Sequence, residues 1–242
     1  MSKPIFEILD CVDTPLGPLW LRRRELLGQR GTIVTEVTLD HELLMSSLNT
    51  ASEEALSTRS IAWHGRAGQE GQEALEVLVG GLGLGYTAQA ALAEPRVAEL
   101  CVIERLPEVI RWLSEDKFPT AAGLNADPRL KVEEADVYEL LLGPATRTWD
   151  LILIDVDHTP SEPLGPTSAP FYTAEGLKRV AEHLAPGGVL CVWSAGDDEP
   201  FAETLAEVFP DSTREIVRWE NLLIDDGQWA EDVLFLARKP AV

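Results

Sequence analysis

The sequence predicts an α/β protein with a doubly wound, mostly parallel seven-stranded sheet that ends in an antiparallel hairpin, preceded by a small N-terminal β domain. Three observations carry this. From Ala74 onward, strand-sized apolar runs alternate with helix-sized segments, the pattern of a parallel sheet wrapped by helices. Those runs are apolar almost throughout, as strands covered on both faces are. The last two strand-like runs are separated by only Glu220–Glu231, too short for a helical crossover, so they pair antiparallel.

In chain order, residues 1–60 read as short strands and turns. Pro15-Leu16-Gly17-Pro18 is a turn signal, and Leu19–Leu21 and Thr32–Leu39 carry the branched and aromatic residues of strands. Ala51–Ile61 suits a helix leading out of this part. Residues 61–73, with the polar, glycine-rich His64–Gln72, read as the linker to a catalytic domain over 74–242. The core strands are Leu75–Val79, Ala98–Ile103, Leu130–Val132, Leu151–Ile154 and Val189–Trp193, followed by Arg214–Trp219 and Asp232–Ala237. Between them lie helix-sized Thr87–Ala93, Pro107–Leu113, Val137–Leu142, Ala174–Leu184 and Glu199–Phe209, with Leu184-Ala185-Pro186-Gly187-Gly188 as a helix stop.

Composition narrows the function. The net charge of −21 repels nucleic-acid phosphates and anionic lipid, so neither nucleic acid nor membrane is an expected partner. It suits either a cationic substrate such as an amine or plain solubility. The N-terminal residues contain no long apolar stretch of a secretory signal. Cys11, Cys101 and Cys191 are odd in number and widely spaced, which predicts a reducing cytoplasm.

The strongest local signal follows the first core strand, where Gly81, Gly83 and Gly85 form G-x-G-x-G between strand and helix. The third glycine of a dinucleotide fingerprint would fall on Tyr86, so the spacing suits a nucleoside better than a pyrophosphate. Glu104 closes the next strand, where a carboxylate can take both ribose hydroxyls. Asp136 closes the third strand; it suits adenine recognition, or caps the helix from Val137. Asp155 follows the fourth strand at the crevice, and partial burial there makes a usable base. Asp157 and His158 add two titratable groups; Asp-x-Asp-His also suits a metal, but no further ligand cluster joins it, and none is assigned. The connection that follows, with Pro160, Pro163, Pro166 and Pro170, has the length of a substrate gate, and Tyr172 lines the pocket or packs at the helix start. Asp197, Asp198 and Glu199 fit a helix N-terminus, or an ammonium site.

These residues resemble the spermidine synthases, polyamine aminopropyltransferases built on the S-adenosylmethionine-dependent methyltransferase (Rossmann-type) fold. The resemblance covers about residues 75–210 well and 1–60 loosely. The family's G-G-G-D-G-G loop is matched by Gly81-Leu82-Gly83-Leu84-Gly85-Tyr86, with Leu84 in place of the amine-binding Asp. Its ribose acid is matched by Glu104, beside Arg105, and its adenine-contacting G-D-A by Ala135-Asp136-Val137. Its D-S-[ST]-D-P is matched by Asp155-Val156-Asp157-His158-Thr159, its P-x-G-P by the displaced Pro163-Leu164-Gly165-Pro166, and its L-x-P-G-G by Leu184–Gly188. The family's Y-H-E is absent; Glu53, in Ser52-Glu53-Glu54, is the acid that region offers to a substrate.

The resemblance implies a homodimeric transferase that moves an aminopropyl group from decarboxylated S-adenosylmethionine to a small amine. Asp155 would be the base, assisted by Asp157 or His158. Leu84 keeps open a methyltransferase that uses intact S-adenosylmethionine. A non-catalytic nucleoside-binding module is the third reading.

Overall fold

Two sheets organise the chain in a computed structural model that describes residues 4–27, 29–65, 74–163, 165, 167–221 and 228–241. The N-terminal sheet is antiparallel, with strand order β1 (Phe6–Thr14), β2 (Gly17–Glu25), β3 (Ile33–Leu39) and β4 (Glu42–Ser46). Its β1–β2 reversal falls on the expected turn, where Gly17 takes a positive φ of 119°. Across β2 and β3 the buried Glu36 receives Arg22 at 2.9 Å and Arg24 at 2.6 Å. Burial pushes that carboxyl upward, but the two arginines outweigh it and hold it below the usual range.

The second sheet has strand order β10-β11-β9-β8-β5-β6-β7. Strands β5 (Leu75–Gly80), β6 (Val97–Glu104), β7 (Leu130–Glu134), β8 (Trp149–Ile154) and β9 (Leu184–Ser194) are parallel. The final pair, β10 (Asp211–Glu220) and β11 (Trp229–Arg238), is antiparallel, and β11 also runs antiparallel to β9. The chain builds outward from β5 to β7 and then returns to β8 on the other side of β5. That reversal opens a crevice beyond the carboxyl ends of β5 and β8, the place where such sheets bind ligands.

Two apolar layers bury the sheet. Leu151, Leu153, Cys191, Leu234 and Leu236 pack on the face that carries α1 (Ala51–Gly65) and α2 (Tyr86–Leu92). Ile152, Leu190, Val192 and Phe235 pack on the opposite face, with α5 (Val137–Leu142), α6 (Ala174–Glu182) and α7 (Glu199–Val208). Helices α3 (Pro107–Ser114) and α4 (Ala121–Ala126) lie beside β6, β7 and α2. The N-terminal sheet docks there through Asp10, which accepts from Trp112 and Lys117 at 2.8 Å and pairs with Arg111 at 2.9 Å. The Lys117 bond leads these contacts in holding the Asp10 carboxyl well below the ordinary range.

The structure revises three expectations. Helix α1 runs to Gly65 and packs on α2, β8 and β9, so the end of the 1–60 segment joins the α/β core rather than the β domain. Residues 61–65 of the expected linker are helical, and 66–73 lie outside the described residues. Small Ser57 and Ser60 let α1 approach closely, and the Ser57 hydroxyl donates to the Thr87 carbonyl at 2.7 Å. Leu184–Gly188 belongs to β9 instead of forming a separate stop. The pairing steps from Trp149 opposite Leu184 to Leu151 opposite Val189, and this irregularity absorbs the turn. Among the described residues, no helix is long and apolar enough to cross a membrane.

Candidate active site

The glycine loop after β5 uses left-handed backbone at each glycine: φ is 93° at Gly81, 54° at Gly83 and 82° at Gly85. Two of them also answer to close contacts. A Cβ on Gly81 would strike the Asp155 carbonyl oxygen, and one on Gly85 would strike Leu124 and lie 2.5 Å from the Thr120 hydroxyl. Gly83 has nothing within 4 Å of its would-be Cβ, so the middle of the loop stays open to a ligand's approach. Leu82 and Leu84 are buried in the core, and the Leu84 carbonyl accepts the Thr120 hydroxyl at 2.5 Å. Leu84 therefore packs into the core at the position where the resemblance expects an amine-binding Asp.

Glu104 lies beneath this loop, 6% exposed. Its carboxylate accepts the N–H of Leu82 at 2.9 Å and of Leu106 at 2.8 Å. Burial raises its proton affinity, and the amides of Leu106, Leu82, Arg105 and Gly83 oppose that rise. The residue predicted to hold ribose thus fastens the loop to the start of α3. Asp136 caps α5, the second of its two sequence readings, with Oδ1 accepting from Tyr138 at 2.9 Å and Glu139 at 3.3 Å. Its Oδ2 takes the Thr167 hydroxyl at 3.2 Å and faces the exposed Arg105 at 3.6 Å. Val137 packs on the end of β5, where a Cβ on Gly80 would meet both its methyls at 2.9 Å.

The other wall of the crevice is acidic. Asp155 leaves β8 with its N–H on the Gly80 carbonyl at 3.0 Å, and its Oδ2 accepts the Thr87 hydroxyl at 3.0 Å. Burial pushes its carboxyl up to about 6; the Thr87 bond opposes this and the charge of Asp232 adds to it. Glu53, in the first turn of α1, is pushed up to about 8 by burial and by the negative charges of Asp155 and Asp232. Tyr86 borders the same wall; burial raises its phenol, against a hydrogen bond with Ser47. The structure therefore joins Asp155 to Glu53, and adds Thr87 and Asp232, which the sequence alone does not single out.

Asp157 and His158 do not join them. Asp157 is buried, and its Oδ2 accepts the hydroxyls of Tyr138 at 2.7 Å and Tyr172 at 2.8 Å. Those phenols lie 3.0 Å apart among the apolar side chains of the opposite face, and burial raises both. Tyr172 is thus committed to packing and to this network. His158 is exposed, 6.3 Å from the Trp193 ring between centroids, and its carbonyl accepts the Ala195 N–H. Asp198 caps α7 through Phe201 and holds Ser161, while Asp197 and Glu199 pair with Arg214, so this group serves the helix terminus. Leu164 and Pro166 of the proline-rich connection lie outside the described residues. Among the described residues, no three His, Cys, Asp or Glu side chains are grouped to hold a metal ion.

No protein-family model and no curated protein matches the sequence. Among solved structures, the chain is similar to a spermidine synthase in complex with the transition-state analogue AdoDATO, at a TM-score of 0.72 and 17% identity, over 97% of this chain and 74% of that one. It is similar also to the spermidine synthase from Thermotoga maritima, at 0.69 and 16%, over the same shares. At these identities the likeness establishes the fold: both sheets of this chain belong to a spermidine synthase-like architecture.

Proposed function

We propose that the protein is a transferase that moves an aminopropyl group from decarboxylated S-adenosylmethionine to a small amine, with Asp155 as proton acceptor. The observation that carries this is that Asp155, beside the glycine loop, and Glu53, whose carboxyl the charge of Asp155 raises, have no Lys or Arg paired to either among the described residues. An uncompensated acidic wall attracts an ammonium and repels the carboxylate of intact S-adenosylmethionine. A base that titrates near 6 is ionised at neutral pH yet retains useful proton affinity. The open backbone at Gly83 leaves room for the nucleoside. The similar structure was solved with AdoDATO, which supports a ligand of that kind for this fold.

In the reaction, the acceptor nitrogen bonds to the carbon next to the sulfonium, and the carbon–sulfur bond breaks with its electron pair going to sulfur. Asp155 takes the proton that the nitrogen loses. The Thr87 hydroxyl fixes one carboxylate oxygen, so the other is presented for this transfer. Most of the acceleration comes from aligning nitrogen, carbon and sulfur, because the sulfonium is already a good leaving group.

The buried Leu84 favours a second reading, a methyltransferase using intact S-adenosylmethionine on the same fold, since no carboxylate stands there to pair with the donor's amine. Calorimetric titration with both donors separates the two. Tighter binding of the decarboxylated form is expected; preference for the intact form moves the assignment to methyl transfer, and binding of neither removes the nucleoside site.

A further inference from the structure

We propose that Asp232 completes the acceptor wall: it fastens the first turn of α1, and so Glu53, beside Asp155, and its charge selects a cationic acceptor. The proposal rests on the reading of the crevice as an amine site.

The sheet places Asp232 there. Because β11 runs antiparallel to β9, its beginning lies at the carboxyl end of the parallel strands. Val233 pairs with Ser194, so Asp232 stands just past the end of β9, while Asp155 follows Ile154, the partner of Val192, on the other side of that strand. Leu234 and Leu236 pack on the α1 face, and Asp232 continues their alternation. There its Oδ2 accepts two donors, the Ser52 hydroxyl from α1 and the Trp219 indole N–H from β10 at 3.0 Å. Ser52 is 2% exposed and directly precedes Glu53, so the bond fixes the helix turn that carries Glu53.

Two further observations point to a ligand. Asp232 is itself only 7% exposed, and its two donors are neutral. Among the described residues no Lys or Arg pairs with Asp232, Glu53 or Asp155, although elsewhere Glu36, Asp10 and Glu99 each hold two or more basic partners. Buried carboxylates require compensation, and an acceptor ammonium provides it. Independently, Trp193 on β9, between the strands of Asp155 and Asp232, packs toward the α1 face with its indole N–H buried and unpartnered. The titratable groups that share this region are Glu53 and Glu54 on α1, Tyr86 on α2, Asp155 after β8, Cys191 on β9 and the Arg59–Glu215 pair between α1 and β10.

The test compares Asp232→Asn, which keeps an oxygen for Ser52 and Trp219 but loses the charge, with Asp232→Ala, which loses both. In the Asn variant the KM for the amine rises about 10-fold with donor affinity unchanged, as loss of one attractive charge predicts. Carbon-detected NMR titration of the carboxyl groups then shows Asp155 and Glu53 ionising about half a unit to one unit lower. The Ala variant shows the same changes and a lower Tm. An Asn variant with unchanged carboxyl titrations and unchanged acceptor KM overturns the proposal and leaves Asp232 a structural tether. If the wild type transfers nothing to any amine, the aminopropyl reading fails on its own; the NMR titration still decides whether the charge of Asp232 acts on Asp155.

Discussion

The two walls of the crevice are built on opposite principles. On the nucleoside side, Glu104 ends β6 and Asp136 stands two residues past β7, and each bonds to amides within a few residues of itself or in the adjacent loop. On the acidic side, Glu53, Asp155 and Asp232 come from a helix near the start of the chain, a strand end in the middle and a strand near the end, and they repel one another. The first wall's carboxylates are held largely by the protein's own amides. The second has no basic partner among the described residues, so its charge is relieved by a proton or by a bound cation, which is the physical basis for assigning donor and acceptor to different walls.

The hardest test of this division is Asp155→Asn. Removing the proton acceptor is expected to lower turnover at least ~100-fold while donor affinity stays within ~2-fold. Single-turnover kinetics beside a donor titration check it; equal losses in both would mean that the walls do not act separately. Glu104→Ala is the converse experiment. It strips the Leu82 and Leu106 amides of a charged acceptor, so donor affinity and unfolding free energy should each fall by ~1–3 kcal/mol. An intact urea midpoint with weakened donor binding would show instead that Glu104 serves ribose alone.

What the sequence revealed of the two walls follows the same division. The glycine loop, Glu104, Asp136 and Asp155 all stand at or just past strand ends, where the parallel-strand rule directs attention to carboxyl ends. Asp232 was invisible to that rule because β11 is antiparallel, which brings the beginning of that strand, rather than its end, to the crevice. Glu53 came from a resemblance, since nothing local marks one acid among several at a helix start. Adjacency to Asp155 misled for Asp157: past β8 the chain leaves its extended course, and Asp157 turns to two phenols on the opposite face. In the fold, the buried strands were legible from their unbroken apolar character. Strand β1 was not, because Phe6 and Ile8 are exposed on an edge, nor was α4, six residues long with a single large apolar side chain.

A smaller effect tests the repulsion directly. The Glu53 carboxyl holds its proton more tightly folded, up to about 8, than unfolded, near the ordinary value of 4.5. Its ionisation therefore opposes folding: stability is undiminished well below 4.5 and declines as the pH rises towards about 8. A glutamine side chain cannot ionise. Glu53→Gln should therefore match the wild-type Tm at pH 4 and exceed it above pH 8, by ~2–4 °C for a relief of about 1 kcal/mol in a chain of this size. A Tm difference that is the same at both pH values would remove the charge repulsion from the account.

The smallest effect probes the one carboxylate of the nucleoside wall that is not fully engaged. Asp136 caps α5 through Oδ1, and Asp136→Ala should cost ~1 kcal/mol in chemical denaturation. Asn caps nearly as well, so Asp136→Asn keeps that stability. The two variants differ at the second atom. Oδ2 has only a 3.2 Å bond from Thr167 and a 3.6 Å contact with Arg105, which leaves it able to accept from an adenine amino group. In the Asn variant the carbonyl oxygen must stay on the helix amides, so an NH2 group faces any adenine amine, donor against donor. Donor affinity should then fall ~3–10-fold with no loss of stability, about the value of one hydrogen bond. Unchanged affinity would reduce Asp136 to a helix cap, and every carboxylate on the nucleoside wall would then serve the protein's own backbone.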